Sequence, residues 1–401
     1  MNTTPQGERV HIAVFGRRNV GKSSLVNALT GQAVSIVSEV KGTTTDPVRK
    51  AMELLPLGPV LFIDTPGLDD EGDLGDLRVQ RTYDVLNQTD IAIIVLDADT
   101  HTDRFEQDML TRVREKNIPV VVAVNKVDRG CPDPEKLAQL TAAFKAPIHA
   151  VSATTGEGIE TLKLALAHII PDNENVRLVG DLLVPNDTVV LVTPIDAAAP
   201  KGRLILPQQQ VLRDILDTHA TALVTQPAEL RRTLAKLTTS PRMVITDSQA
   251  FAEVAAVLPP DVPLTSFSIL FARYKGDLDT LADGANAVVT LQDGDRILVA
   301  EGCTHHRQTD DIGTVKIPRA LQQKTGKTFT FDHVSGIRYP QDLSQYALIV
   351  HCGACMLNRR EMRYRIAQAK AAGVPITNYG ILLAHLQGIL PRCLDALRGD
   401  R

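Results

Sequence analysis

The sequence predicts an α/β fold: a doubly wound, mostly parallel sheet followed by two smaller α/β units. Three observations carry this expectation. Short apolar runs alternate with stretches of helical length along the chain. A glycine-containing turn ending in Lys22-Ser23 lies between the first apolar run and the first helix. Polar punctuation at 171–175, and a second change near 263, divide the chain into 1–172, 176–262 and 263–401. At 401 residues the chain exceeds one typical domain, and two or three are expected.

Composition removes several function classes. There are 43 basic and 47 acidic side chains, a net charge of −4, and no long basic run, so a broad nucleic-acid footprint has no support. No apolar run reaches the ~18 residues of a membrane span, and residues 1–9 do not read as a signal peptide, which points to the cytoplasm. Five cysteines in so long a chain argue against a disulfide framework.

In chain order, Val10–Phe15 is an apolar strand that runs into Gly16-Arg-Arg-Asn-Val-Gly-Lys-Ser23. This is the phosphate-loop pattern in its required place between strand and helix. Backbone N–H groups of such a loop face phosphates, Lys22 reaches the β and γ groups, and the Ser23 hydroxyl ligates Mg²⁺. Gly16, Asn19, Gly21, Lys22, Ser23 and Ser24 are therefore the expected contacts. The helix that begins at Lys22 stops at Thr30, before Gly31, a suitable C′ residue.

Residues 32–47 read as a pliable segment holding Gly42-Thr-Thr-Thr-Asp46, from which Thr44 is expected to complete the Mg²⁺ shell. A strand at 60–63 then delivers Asp64-Thr-Pro-Gly67. Asp64 can hold Mg²⁺ through water, and the Gly67 N–H can touch a γ-phosphate, contacts that would vanish on hydrolysis. Strands at 91–96 and 120–124 follow, the second running into Asn125-Lys126-Val-Asp128. Asp128 can accept both N–H groups of a guanine edge, which adenine does not offer, so GTP is preferred over ATP. Ser152 and Ala153, after the next strand, add contacts to the base. Five motifs in this order, each at a strand end, predict a GTPase.

These motifs resemble translation-factor-like GTPases of the Era and MnmE type, over about the first 170 residues. Leu68 stands where Ras-type enzymes carry a water-positioning glutamine, so another device is needed. The resemblance implies that Asn19 holds an activating K⁺, although Arg18 replaces the proline usual before it. Lys22, Asn19, Thr44 and Gly67 are then the expected catalytic group.

Beyond the linker there is no GTPase motif. Strands are expected at 188–192, 221–224 and 243–246, and helices at 207–217, 227–237 and 248–258, the last capped by Ser248. The third stretch opens with a strand entering a helix near 263–271. A strand at 296–300 delivers Cys303-Thr-His305, and one at 348–350 delivers His351-Cys352-Gly-Ala-Cys355. Both half-sites follow strands, which in an open α/β sheet puts them on one carboxyl edge. The arginine-rich stretch 358–365 reads as a solvated helix face. By residue chemistry alone a Cys₃His zinc site, an iron–sulfur cluster and a redox Cys-x-x-Cys all remain open.

The combination of these three stretches resembles the HydF family of FeFe-hydrogenase maturation GTPases, over essentially the whole chain. The resemblance implies a four-iron, four-sulfur cluster on Cys303, Cys352 and Cys355, with His305 and His351 matching the family's histidines. It also implies a dimer through 176–262, and a scaffold that carries a di-iron subcluster precursor. HydE-like and HydG-like radical-SAM enzymes would supply that precursor, and the apo-hydrogenase would receive it. An RNA-directed GTPase with a structural zinc is the alternative, against which the near-neutral charge counts.

Overall fold

A computed structural model describes residues 4–31, 47–67, 81–98, 104–130, 133–169, 176–195, 204–302, 311–336 and 338–398. Thr44, Leu68, Cys131, Cys303, His305 and the linker at 171–175 lie outside the described residues. The chain forms two compact units, Met1–Glu174 and Asn175–Arg401.

In the first unit six strands make one sheet: β1 (Val10–Phe15), β2 (Val48–Leu54), β3 (Gly58–Asp64), β4 (Ile91–Asp97), β5 (Val120–Asn125) and β6 (Ile148–Ala150). Their order is β2-β3-β1-β4-β5-β6, parallel throughout except for β2, which runs antiparallel to β3 at the edge. Alternation along β1 sends Ala13 and Phe15 to one face and Ile12 and Val14 to the other, all fully buried. A strand apolar on both faces needs cover on both. One face is covered by α1 (Lys22–Thr30) and α4 (Ile159–Ala167), through Leu25, Leu29, Leu162 and Leu166. The other is covered by α2 (Arg104–Glu115) and α3 (Pro134–Phe144), through Met109, Val113 and Phe144. The doubly wound expectation holds; the antiparallel edge strand β2 is new, since its residues have no long apolar run.

Among the described residues the second unit holds two four-stranded parallel sheets. One contains β7 (Thr188–Val192), β8 (Thr221–Thr225), β9 (Met243–Thr246) and β10 (Leu264–Ser266) in the order β10-β9-β7-β8. The other contains β11 (Arg296–Glu301), β12 (Thr330–Ser335), β13 (Leu348–His351) and β14 (Ile376–Asn378) in the order β12-β11-β13-β14. α5 (Leu206–Asp217) and the short α6 (Leu230–Leu234) belong to the first of these sheets. So does α7 (Phe251–Val257), which begins three residues after the expected Ser248. Ser248 instead donates from Oγ to Ser266 Oγ at 3.1 Å. One apolar core runs from Leu178 to Leu397 through both sheets. It includes α8 (Phe267–Lys275), α9 (Leu278–Ala285) and α11 (Arg359–Ala371), with α10 (Ile317–Thr325) and α12 (Tyr379–Leu386) closing the far face of the second sheet. α13 (Leu390–Arg398) ends the described chain. No described helix is long and apolar enough to cross a membrane.

At Gly284, α9 packs closely against β14. A Cβ there would lie 1.9 Å from the Ile376 carbonyl oxygen, a backbone atom that cannot swing away. Gly284→Ala is expected to destabilise the unit by about 1–3 kcal/mol through overpacking. A thermal melt showing the native midpoint would contradict this account of the α9–β14 contact.

Candidate nucleotide and metal sites

The phosphate end of the first site is built where β1 stops. Gly16 passes so near β4 that a Cβ would sit 2.6 Å from the Val95 carbonyl oxygen. Gly21 has φ +93° and leaves only 2.3 Å between a would-be Cβ and Asn125 Nδ2, so two independent restraints select glycine. Lys22 is buried and donates from Nζ to the carbonyls of Gly16 (2.9 Å) and Arg17 (2.8 Å), lying across the loop it belongs to. Arg17 is tied by a 2.7 Å ion pair to the buried Glu106 of α2. Ser23 and Ser24 are exposed on the first turn of α1, and Asn19 is exposed with φ +62°.

Ser23 and Asp64, 41 residues apart in sequence, meet: Ser23 Oγ donates to Asp64 Oδ2 at 2.5 Å. The other carboxylate oxygen, Oδ1, is buried with no hydrogen-bond partner among the described residues. Burial pushes the Asp64 carboxyl pKa up, while the Ser23 hydroxyl and the Lys22 and Lys50 ammoniums pull it down. A hydroxyl beside an orphaned carboxylate oxygen is the oxygen donor set that Mg²⁺ takes, so the residues fit that ion. Thr65 donates from Oγ1 to the Val14 carbonyl at 2.6 Å, pinning the Asp64–Gly67 turn to β1. Gly67 is buried at its end.

At the base end, Asn125 acts as a strut. Its Nδ2 donates to the Val20 carbonyl at 2.9 Å and its Oδ1 accepts from the Ala153 N–H at 3.0 Å, linking the phosphate loop to the 151–153 loop. Lys126, with φ +68°, forms a 2.6 Å ion pair with Asp97. Ser152 is fully buried and donates from Oγ to Asp128 Oδ1 at 2.6 Å. The Ser152 side chain thus fixes the Asp128 carboxylate, the group expected to recognise guanine.

In the second unit, β11 and β13 pair in parallel with Ala300 opposite His351, so both strands end at one edge. There the Cys352 Sγ accepts from two backbone amides, Gly302 N–H at 3.0 Å and Ala354 N–H at 3.4 Å. Amide N–H···S contacts favour the thiolate, the form that binds metal. Cys355 is half-buried on the same loop, whose turn is made by Ala354 at φ +54°. Among the described residues no group of three His, Cys, Asp or Glu side chains gathers to hold a metal. Cys303 follows Gly302 directly in the sequence. A thiolate-stabilising pair of amides and a second thiol three residues on fit an iron–sulfur cluster or zinc.

His351 is fully buried, and both ring nitrogens are engaged within the protein. Nδ1 lies 2.9 Å from the Cys352 carbonyl oxygen and Nε2 lies 3.0 Å from Arg365 Nη1. Burial first, and the Arg365 charge second, push its pKa down to about 3, so the ring is neutral and accepts from the guanidinium. Arg365 itself is 0 % exposed, paired with Glu361 at 2.8 Å and donating to the Gly336 carbonyl at 2.8 Å. This corrects the solvated reading of 358–365: Asn358 caps the helix through Glu361 N–H, and Arg365 points inward. Cys393 is a core residue whose thiol burial pushes up to about 12.

Comparison with known proteins divides along the chain. Residues 178–276 match the model of the hydrogen maturase F dimerization domain, and residues 279–396 that of the hydrogen maturase F tetramerization domain. Residues 11–126 match the 50S ribosome-binding GTPase model, so the first unit holds a P-loop GTPase domain. The tRNA modification GTPase MnmE of Nitrosomonas europaea is 36% identical over 160 residues, covering 40% of this chain and 34% of that protein. GTPase Era of Rippkaea orientalis is 30% identical over 233 residues, covering 56% and 70%. The chain thus spans about a third of the length of the MnmE relative. A solved structure of Aquifex aeolicus Era bound to GDP.AlF4⁻ aligns with a TM-score of 0.37 at 20% identity, covering 62% of this chain and 97% of that one.

The Ser152–Asp128 bond generates a test. Ser152→Ala leaves the carboxylate in place but unaimed, at a cost of about 1 kcal/mol, or roughly fivefold in guanine-nucleotide affinity. Titration with a fluorescent GDP analogue measures it, and native affinity would show that Ser152 does not orient Asp128.

Proposed function

Because the chain belongs to the hydrogen maturase F family, we propose that it is a GTP-hydrolysing scaffold that assembles the di-iron subcluster of FeFe hydrogenase and delivers it to the apo-enzyme. The observation that carries the reading is the Cys352 thiol held by two amides at the β11–β13 edge, one of them from the residue just before Cys303. In this reading Cys303, Cys352 and Cys355 hold a four-iron, four-sulfur cluster, with His305 beside it. His351 then serves through Arg365, fixing the end of β13. Three thiolates leave one iron for an exchangeable ligand, the asymmetry a carrier of a di-iron precursor requires.

HydE-like and HydG-like radical-SAM enzymes would supply that precursor. Self-association has support in the dimerization and tetramerization matches, and we assign the dimer to 176–262 and the cluster to 263–401, with 1–172 as the GTPase domain. The work is cytoplasmic and involves neither membrane nor nucleic acid.

In the GTPase domain we assign Lys22 to neutralise the β- and γ-phosphates and the backbone amides of the Gly16–Ser23 loop to bind them, as the phosphate-loop pattern supports. Ser23 and Thr44 would hold Mg²⁺, with Asp64 reaching it through water, and the Gly67 amide would meet the γ-phosphate. When bound, Mg²⁺ offsets the charge that develops between those phosphates. Leu68 has no group to orient water, so the exposed amide of Asn19 is assigned to hold K⁺ near the developing charge.

GTP turnover is expected to be faster in K⁺ than in Na⁺, with Asn19→Ala erasing the difference and Lys22→Ala abolishing turnover in both. Steady-state rates in the two salts decide this, and equal native rates would remove K⁺ from the scheme. For the cluster, Cys352→Ser is expected to lower iron and sulfide taken up on anaerobic reconstitution by at least about tenfold. Native protein that retains zinc and takes up no iron would instead favour the RNA-directed GTPase with a structural zinc.

A further inference from the structure

Lys275, the last residue of α8, is 1 % exposed. A lysine at a helix end ordinarily reaches solvent, because its ammonium is expensive to bury. Here Nζ turns inward and donates to three carbonyls of one short loop: Leu357 at 2.7 Å, Cys355 at 3.2 Å and Ala354 at 3.3 Å. An ammonium has three N–H groups, and among the described residues three carbonyls of this one loop lie within reach of them. The Phe271 ring, one turn back on the same helix, has its centroid 5.4 Å from the same nitrogen.

We infer that Lys275 is the positioning residue of the Cys352–Cys355 loop, its buried ammonium fixing the shape in which the two thiols are presented. The purpose assigned to that shape rests on the cluster reading above; the geometry does not. The loop turns through Ala354, a non-glycine residue at φ +54°, a conformation that L side chains adopt only at a cost. Three carbonyls converging on one cation hold the chain in that turn. Within each peptide the N–H points opposite to the C=O. Drawing the carbonyls of Ala354 and Cys355 toward Lys275 therefore turns the following N–H groups away from the ammonium.

The same helix supports the loop at a second point. Gly353 packs over Ser268, with 3.5 Å from a would-be Cβ to Ser268 Oγ. Ser268 and Lys275 are seven residues apart, two turns on one helix face. α8 is thus the bed on which residues 353–357 lie, and Lys275 is the group that fastens them.

The test uses the full chain and two readouts. Lys275→Met keeps an unbranched stem of similar length without the charge, and Lys275→Arg keeps the charge. In apo-protein, hydrogen–deuterium exchange of Lys275→Met is expected to rise at least about tenfold at 352–357 while 296–301 and 359–371 keep native protection. On anaerobic reconstitution the same variant should hold iron on the order of tenfold to a hundredfold more weakly, with a changed EPR signal of the reduced cluster. Lys275→Arg should recover part of both. Native exchange at 352–357 in Lys275→Met would overturn the inference, and so would a rise spread evenly over 175–401, which would make Lys275 a packing residue. Failure of native protein to take up iron would overturn the cluster reading, and the exchange result would still judge Lys275.

Discussion

Parallel pairing is the constraint from which both sites follow. In a parallel sheet every strand ends at the same edge, so residues distant in sequence meet there without any long excursion of the chain. β1, β3 and β5 end at Phe15, Asp64 and Asn125, and the side chains just beyond them line the candidate nucleotide site. β11 and β13, paired Ala300 to His351, end beside Gly302 and Cys352 in the same way. The buried, two-faced strands that make this geometry stable leave chemistry only to the loops at their tips.

Those loops are stiffened by different means. In the GTPase domain amide and hydroxyl bridges (Asn125 between Val20 and Ala153, Thr65 on Val14, Ser152 on Asp128) work beside the Arg17–Glu106 and Lys126–Asp97 ion pairs. Around the cysteine loop the stiffening is ionic. Arg365 is enclosed with Glu361, His351 and the Gly336 carbonyl, and Lys275 sits on three carbonyls. Buried charges are costly unless each lone pair and proton is matched, and removing one partner of such a pair costs about 3–5 kcal/mol. Ionic seating therefore tolerates fewer geometries than apolar packing would.

Much of this was legible in the sequence because strands and motifs coincide. The Gly16–Ser23 loop, Asp64–Gly67, Asn125–Asp128 and His351–Cys355 each follow an uninterrupted apolar run, and each run is a strand. What escaped depends on tertiary contacts that leave no local trace. Glu361 and Arg365 are spaced i,i+4, which reads as a surface pair, and only the packing against His351 and Tyr339 makes them interior. β2 escaped because Val48–Leu54 interleaves charge with apolar residues at a sheet edge, half in water. Lys275 ends an apolar helix like any solvated lysine; its burial is visible only once residues 354–357 lie over it. The aim of Ser152 at Asp128 likewise spans two loops.

The apolar core that runs unbroken from Leu178 to Leu397 couples the two sheets of the second unit thermodynamically. Because the two sheets share that core, a subunit partner bound through residues 178–276, the stretch that matches the dimerization domain, would lower the population of every state in which the core is loosened. Residues 352–357 rest on α8, which belongs to the same core, so their exposure in rare openings falls with it. Self-association would then act as a protective ligand for the thiols, with protein concentration, through mass action, setting how often Cys352 and Cys355 meet oxidants or adventitious metal.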